Sequence, residues 1–219
     1  MIETVKRIQV LSSQECENAL LQVLLLKSWW IKRHQQVPFY TLGLAAYLDD
    51  QYGSSYQRAY TSPELVKYNQ LLLRYFLSVY QKVITHLAEL FDAPAFLNEQ
   101  NLALPGFHIY EAHTAFAKPV AKVHRDLQFC HLFAERESLA PSRVFSFTLP
   151  IALPEVSGLN FYNNDGELDG FEPYHTGEMV VHSGLKPHQA VLNSVAWCEP
   201  RITLQGHGLR RDDSWIVYW

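Results

Sequence analysis

The stretch Val123-His124-Arg125-Asp126-Leu127, VHRDL, decides how this 219-residue chain is read. A His and an Asp two residues apart, with Arg between them, belong to two unrelated chemistries. In a phosphoryl-transfer loop, H-R-D-L-x-x-x-N, the Asp takes the substrate's proton. On a β-strand, H-x-D turns its outer side chains to one face, where both can bind one metal ion, and turns the middle residue away. The phosphoryl-transfer reading needs Asn at position 131, where His131 stands. It also needs D-F-G, and the chain offers only Asp169-Gly170-Phe171. The sequence carries no G-x-G-x-x-G ahead of VHRDL and no V-A-I-K strand, so that reading fails.

The metal reading needs a strand leading into His124, a distant second His and a cation for an anionic co-ligand. VAKVH, residues 120–124, reads as that strand. The segment GEMVVHSGLKPHQAVLNSVAWCEPRITLQGHGL, residues 177–209, supplies the rest. Two histidines compete for the distant position, His182 and His188. His188 is favoured because it opens a run after a Gly-Leu-Lys-Pro turn and is expected to pair with a returning strand that carries Arg201.

Working outward, the chain divides by texture. Ser12 and Ser13 precede QECENALLQVLLLK, a helix with a polar start and an apolar body. Thr61 and Glu64 have capping-box spacing ahead of a second helix, and Pro63 suits its first turn. Leu65, Tyr68, Leu72, Tyr75, Phe76, Val79, Tyr80, Val83 and Leu87 then recur at three- and four-residue steps, one broad apolar face. Beyond Pro94 the pattern becomes short β-rich runs between turn residues: GFHIYEA, PVAKVH, RVFSFTLPI, GLNFYNN, GEMVVHS, HQAVLNSVAW, RITLQGH and SWIVYW. YNNDGELDGFEPYHTG reads as a loop beside a hairpin. The predicted organisation is one domain over 1–219: a mainly helical layer over 1–95 and an antiparallel β-sandwich over 96–219. The long helix should bury its apolar stripe on one sheet.

Composition narrows the function classes. At 48% hydrophobic and 13% aromatic, the chain has ample core material. A net charge of -4 with scattered Lys and Arg lacks the basic footprint of nucleic-acid binding. Cys16, Cys130 and Cys198 are far apart, so neither a disulfide framework nor a thiolate zinc site is expected. With no secretory signal and no apolar run of membrane-spanning length, a cytoplasmic protein with no membrane partner is expected. Oligomeric state is not legible.

The sequence resembles the iron(II)- and 2-oxoglutarate-dependent oxygenases. The residues that carry the resemblance are His124-Arg125-Asp126, His188 within PHQAV, and Arg201-Ile202-Thr203, over roughly residues 104 to 219. The resemblance implies an α+β fold, a double-stranded β-helix (jelly roll) behind the helical N-terminal layer. It implies Fe(II) held by His124, Asp126 and His188, with 2-oxoglutarate and O2 as cosubstrates and a small molecule as substrate. Arg201 and Thr203 correspond to the family's R-x-S pattern. Arg201 suits the far carboxylate of 2-oxoglutarate because its planar fork makes two parallel charge-assisted hydrogen bonds. The gap before Arg201 is longer than the family's, which implies a longer turn around Cys198-Glu199-Pro200.

The runs LPGFHIY, HRD, HSG with HQ, and RITLQGHG are also similar to small oxygenases acting on free amino acids. Some of these are halogenases, in which Gly replaces the metal-binding carboxylate. Asp126 is kept here, which implies hydroxylation or another C–H oxidation. Strand alternation extends the Arg201 face to Gln205 and His207, as residues supporting the ligands, as substrate contacts or as a solvated strand end. His108 and Tyr110 share one face of their run, with Glu111 and His113 on or near the other. Which face meets the cavity stays open, and so does Glu111, either an ammonium holder or a surface charge. His131 reads more naturally as a core or surface histidine than as support for the metal site. Trp215, Tyr218 and Trp219 read as core or lid packing. Two rival classes remain: a jelly-roll protein that binds a metal or small ligand without turnover, and an oxygenase acting on a protein side chain.

Overall fold

The first helix, Ser13–Leu25, starts where Ser12 caps it. Glu15 N–H donates to Ser12 Oγ at 3.4 Å, and the Glu15 carboxylate accepts from Ser12 N–H at 3.0 Å, so two otherwise unpaired donors are satisfied reciprocally. The long helix, Pro63–Phe91, opens on Pro63, whose missing N–H costs nothing in a first turn. The structure is a computed structural model and describes residues 5–49, 63–118, 121–133, 141–194 and 200–219, the side chains of 46, 47, 131 and 141 aside. Thr61 of the expected capping box, most of the CEP turn, and the His131 side chain therefore lie outside the described residues. The long helix buries Leu65, Leu72, Phe76, Val79, Tyr80, Val83 and Leu87, with a local kink at Phe76. Asn69 is buried in the same stripe. Its amide donates to the carbonyls of Glu99 and Leu102 and accepts from Leu104 N–H, which tethers the helix to the following turn.

Among the described residues nine strands form one sheet, in the order β1-β9-β6-β11-β5-β3-β2 with β12 and β4 attached beside β11. They are β1 (Lys6–Gln9), β2 (Ile31–Lys32), β3 (Phe39–Leu42), β4 (Ala95–Leu97), β5 (Gly106–Tyr110), β6 (Val144–Ala152), β9 (Glu178–His182), β11 (Arg201–Arg211) and β12 (Ser214–Tyr218). A second sheet runs β10-β7-β8, from His188–Val191, Gly158–Tyr162 and Leu168–Pro173. Leu159, Phe161, Tyr174 and Val180 pack together where the two sheets face each other. On its other face the large sheet meets both helices. Phe107, Ile109, Phe145, Phe147, Leu149, Ile202, Leu204 and Val217 share one core with Leu72, Phe76, Val79 and Val83. No helix among the described residues is long and apolar enough to cross a membrane.

Several expectations need correction. Residues 1–95 are not simply a helical layer: β1, β2 and β3 add strands to the large sheet, pairing with β9 and β5. Short two- and four-residue strands carry too little periodicity to read from sequence. VAKVH makes only an isolated bridge at His124 among its described residues. Leu168–Pro173, read as loop, is β8, paired with β7. β10 and β11 are not neighbours. His188 stands in the smaller sheet and Arg201 in the larger.

Trp219 closes the chain against β5 and is fully buried. A Cβ at Gly106 would stand 2.0 Å from the Trp219 ring, so this strand position admits only glycine. Gly106→Ala is expected to destabilise the fold by about 1–3 kcal/mol through overpacking, read as a lower urea midpoint at unchanged m-value. The penalty should shrink in a Trp219→Leu background, where the ring is gone.

Candidate metal and anion site

Backbone pairing, not a regular strand, places the H-x-D pair. His124 N–H donates to the His188 carbonyl at 3.0 Å, and His188 N–H returns the bond at 2.9 Å. Asp126 N–H donates to the Gly184 carbonyl at 2.8 Å. Residues 124–126 therefore run antiparallel to 184–188, and the three side chains converge. Each of His124, Asp126 and His188 offers one ligand atom, all within 4.8 Å of one another. Asp126 Oδ1 is 3.7 Å from His124 Nε2, and Oδ2 is 3.4 Å from His188 Nε2.

Hydrogen bonding sets the tautomers. His124 Nδ1 faces the Lys122 carbonyl at 2.8 Å, and His188 Nδ1 faces the Lys186 carbonyl at 2.9 Å. A carbonyl only accepts, so in the neutral form each ring has its proton on Nδ1 and a lone pair on Nε2, the atom turned to Asp126. His182 is different. Gly184 N–H donates to its Nδ1 at 3.1 Å, so the proton of the neutral ring sits on Nε2 and that atom cannot bind a metal. Burial pushes the His182 pKa down to about 3, which keeps the ring neutral. Burial also lowers His188, against the pull of Asp126. For Asp126 burial acts upward, while positive charge on the surrounding imidazoles when they are protonated, His188 foremost, acts downward and leaves the carboxyl below its ordinary value. Two imidazole nitrogens and a carboxylate are the donor set of a facial metal site.

Arg201 is completely buried. Its Nε donates to Ser157 Oγ at 2.8 Å, and Ser157 in turn donates to the Val191 carbonyl at 3.1 Å. The guanidinium carbon lies 5.5 Å from the ring centroids of both Tyr110 and Tyr174. Nη1 and Nη2 have no hydrogen-bond partner among the described residues. Burial lowers the Arg201 pKa, partly offset by the two tyrosines. A buried guanidinium without a counter-anion is costly, and its open edge matches a carboxylate.

A cavity of about 790 Å³ lies at the cluster, and Arg201 and Thr203 are not among its wall residues. The metal-type cluster, His108, Tyr110, Gln205 and His207 all line it, which answers which face of residues 107–113 turns inward. Tyr110 lines the cavity and also packs against the Arg201 guanidinium. Thr203 is buried on the same strand face and accepts from the Gln205 amide at 3.4 Å. Glu111 lies elsewhere, paired with Lys27 at 2.5 Å, and Asp126 is the one acidic side chain among the described wall residues. Trp215, Tyr218 and Trp219 are buried core. Arg125, expected to point away, also reaches the cavity and donates to Asn164 at 3.0 Å.

Sequence reasoning missed Ser146, Thr148, Gln128 and Arg33, all on the wall. For two of them a signal exists. Ser146 and Thr148 alternate with Phe145, Phe147 and Leu149 along β6, so polar residues mark the cavity face of an otherwise apolar strand. Arg33 carries no such signal. It is fixed from outside the motifs, by Thr41 Oγ1 at 2.8 Å and a paired contact with Asp49.

No protein-family model matches the sequence, and no curated protein matches it. Solved structures do match by shape. The chain is similar to the non-haem alpha-ketoglutarate-dependent epimerase SnoN of nogalamycin biosynthesis, at 16% identity and a TM-score of 0.53, over 94% of this chain and 80% of that one. It is also similar to the non-haem monooxygenase ThoJ, solved as a nickel complex, at 9% identity and a TM-score of 0.50, over 92% of this chain and 71% of the other. At these identities the likeness establishes a shared fold.

The buried imidazoles make stability depend on pH. His108, His182, His188 and His207 all have lowered pKa values with burial as the first cause. Unfolded, each takes its proton near pH 6.5; folded, each resists. Their contribution is therefore complete above about pH 6.5 and lost as pH falls toward the folded value, by up to about 1.4 kcal/mol per pH unit for each group. The metal-free protein should lose thermal stability steeply from pH 7 to pH 5. Substituting His182 with Gln should flatten that slope by about one proton's worth.

Proposed function

We propose that the chain is an Fe(II)- and 2-oxoglutarate-dependent oxygenase that hydroxylates an unactivated C–H bond of a small molecule. The observation that carries this reading is Arg201. A buried guanidinium with two open amino groups, together with a His-Asp-His cluster, asks for a dicarboxylate that can reach both. The donor set fits a ferrous ion, since both histidine Nε2 atoms are free to bind and Asp126 is ionised.

His124, Asp126 and His188 would hold the metal, and Arg201 would receive the far carboxylate of 2-oxoglutarate with Thr203 beside it. With O2, the bound iron and 2-oxoglutarate supply an oxidant able to take hydrogen from carbon, 2-oxoglutarate leaving as succinate and CO2. The protein's own part is aim and exclusion. Backbone bonds from Lys122 and Lys186 orient the two imidazoles. Tyr110 and Tyr174 flank Arg201 and keep water from its faces. Val37, Phe39, Phe116 and Leu159 make the apolar part of the wall against which a substrate would rest. Gln205 and His108 are among the polar groups of that wall and would help fix its orientation. Asp126 supplies the carboxylate that halogenases of similar build lack, which favours hydroxylation. A free amino acid remains a candidate substrate, but Glu111, paired with Lys27, is a poor choice for its ammonium group.

Anaerobic Fe(II) and 2-oxoglutarate together should give the visible charge-transfer band of the chelated keto acid. His124→Ala should abolish it, and no band from the wild type would refute the reading. Arg201→Lys should weaken 2-oxoglutarate by about 10- to 100-fold, the size of one lost charge-assisted hydrogen bond, with metal affinity unchanged. Succinate formed in step with a substrate separates turnover from mere binding, and a chlorinated product would refute the hydroxylase assignment.

A further inference from the structure

Asp126 is held by more than its backbone. Ser146 Oγ lies 2.6 Å from Asp126 Oδ2 and 3.0 Å from His207 Nδ1, and all three residues are buried. The direction of this chain is forced. An ionised carboxylate only accepts, so the single Ser146 hydroxyl proton goes to Oδ2. Ser146 Oγ can then only accept from His207, whose ring proton must sit on Nδ1. The result is a one-way sequence: His207 donates to Ser146, and Ser146 donates to Asp126.

Sheet register builds it. His207 on β11 pairs with Ser146 on β6, and Ser146 pairs with His182 on β9, which sets three polar side chains in a row on the inner face. Gly184 makes room on the far side. A Cβ there would stand 2.4 Å from Ser146 Oγ and 3.2 Å from Asp126 Cβ, and its φ of +72° already favours glycine. Asp126 N–H is bonded to this same residue's carbonyl, so one glycine seats the backbone of Asp126 and clears the approach of Ser146 to its carboxylate.

We infer that Ser146 and His207 are positioning residues that lock the rotation of the Asp126 carboxylate, so that its oxygens meet the metal already oriented. The inference rests on the metal site proposed above, and of the roles open to His207 it selects the support of a ligand. Outer partners of metal ligands act on affinity, so the readout is metal binding itself.

The test is Co(II) titration, without 2-oxoglutarate or O2, followed by the visible ligand-field spectrum, with circular dichroism confirming that each variant folds. Ser146→Ala removes the hydroxyl, and His207→Leu removes the donor behind it. Each should weaken Co(II) by about 10- to 100-fold. His207→Asn, whose side-chain amide carries a donor at the place of Nδ1, should restore binding to near the wild-type level, which a purely space-filling role would not predict. Wild-type affinity in Ser146→Ala would overturn the inference and leave the metal site standing. Failure of the wild type to bind Co(II) would overturn both. If Ser146→Ala does not fold, the comparison of His207→Leu with His207→Asn decides: equal affinities reject the inference, and a rescue by Asn supports it.

Discussion

The two-residue alternation of the large sheet, pinned by helix packing on one side, is the constraint on which the rest depends. Phe107, Ile109, Ile202, Leu204, Phe145 and Phe147 share a core with the long helix. Their neighbours in sequence must then face the other way. His108, Tyr110, Arg201, Thr203, Gln205, His207, Ser146 and Thr148 occupy that second face because a one-residue slip would send the apolar set into the cavity. The site's polar residues are thus placed by the burial of residues that take no part in its chemistry. The long helix, though remote from the cavity, packs on the far side of the strands that carry these residues.

Burying that polar face has an electrostatic cost that the local structure offsets unevenly. Asp126 is surrounded by donors and imidazoles and is kept ionised. Burial lowers the pKa values of His182, His188 and His207, and each neutral ring serves as a lone-pair donor or a hydrogen-bond donor according to what its Nδ1 atom meets. Arg201 is the exception. It has a hydroxyl on Nε and aromatic rings nearby, but nothing on its outer edge among the described residues. A fold would discard an arginine of this kind in favour of an apolar residue unless something with negative charge came to meet it.

Much of this was legible in the sequence, and the parts that were not have a common cause. The long helix was readable because a 3.6-residue period persists over many turns. The strands that carry Arg201 and His108 were readable because apolar and polar residues alternate in them. His124 and Asp126 were readable as a pair, but not for the reason given by strand geometry: they lie beside 184–188 on backbone bonds that no side-chain pattern records. β2, β3 and Arg33 were invisible because their placement depends on pairing partners distant in sequence, β5 and Asp49. The adjacency expected of His188 and Arg201 failed for the same reason. A turn between two runs does not say whether the chain returns beside itself or crosses to the opposite sheet.

The choice between His182 and His188 shows what finally separates residues that look alike in sequence. Both are buried, and their rings lie 4.9 Å apart. Burial does not separate them, although only His188 joins the cluster, with its Nε2 3.4 Å from Asp126 Oδ2. A single backbone group does: a carbonyl from Lys186 beside one Nδ1, an N–H from Gly184 beside the other. The carbonyl forces the proton onto Nδ1 and frees Nε2 for a metal. The N–H forces the opposite tautomer and makes Nε2 a donor. In the proposed site the charges then balance. A divalent metal and Arg201 supply three positive charges, and Asp126 with a doubly ionised keto acid supplies three negative ones. Asp126 and Arg201 are buried charges of opposite sign, Arg201 on the large sheet and Asp126 on the segment bonded to Gly184. Each lacks the partner that would neutralise it at close range, and a chelated dicarboxylate is a ligand that can satisfy both at once.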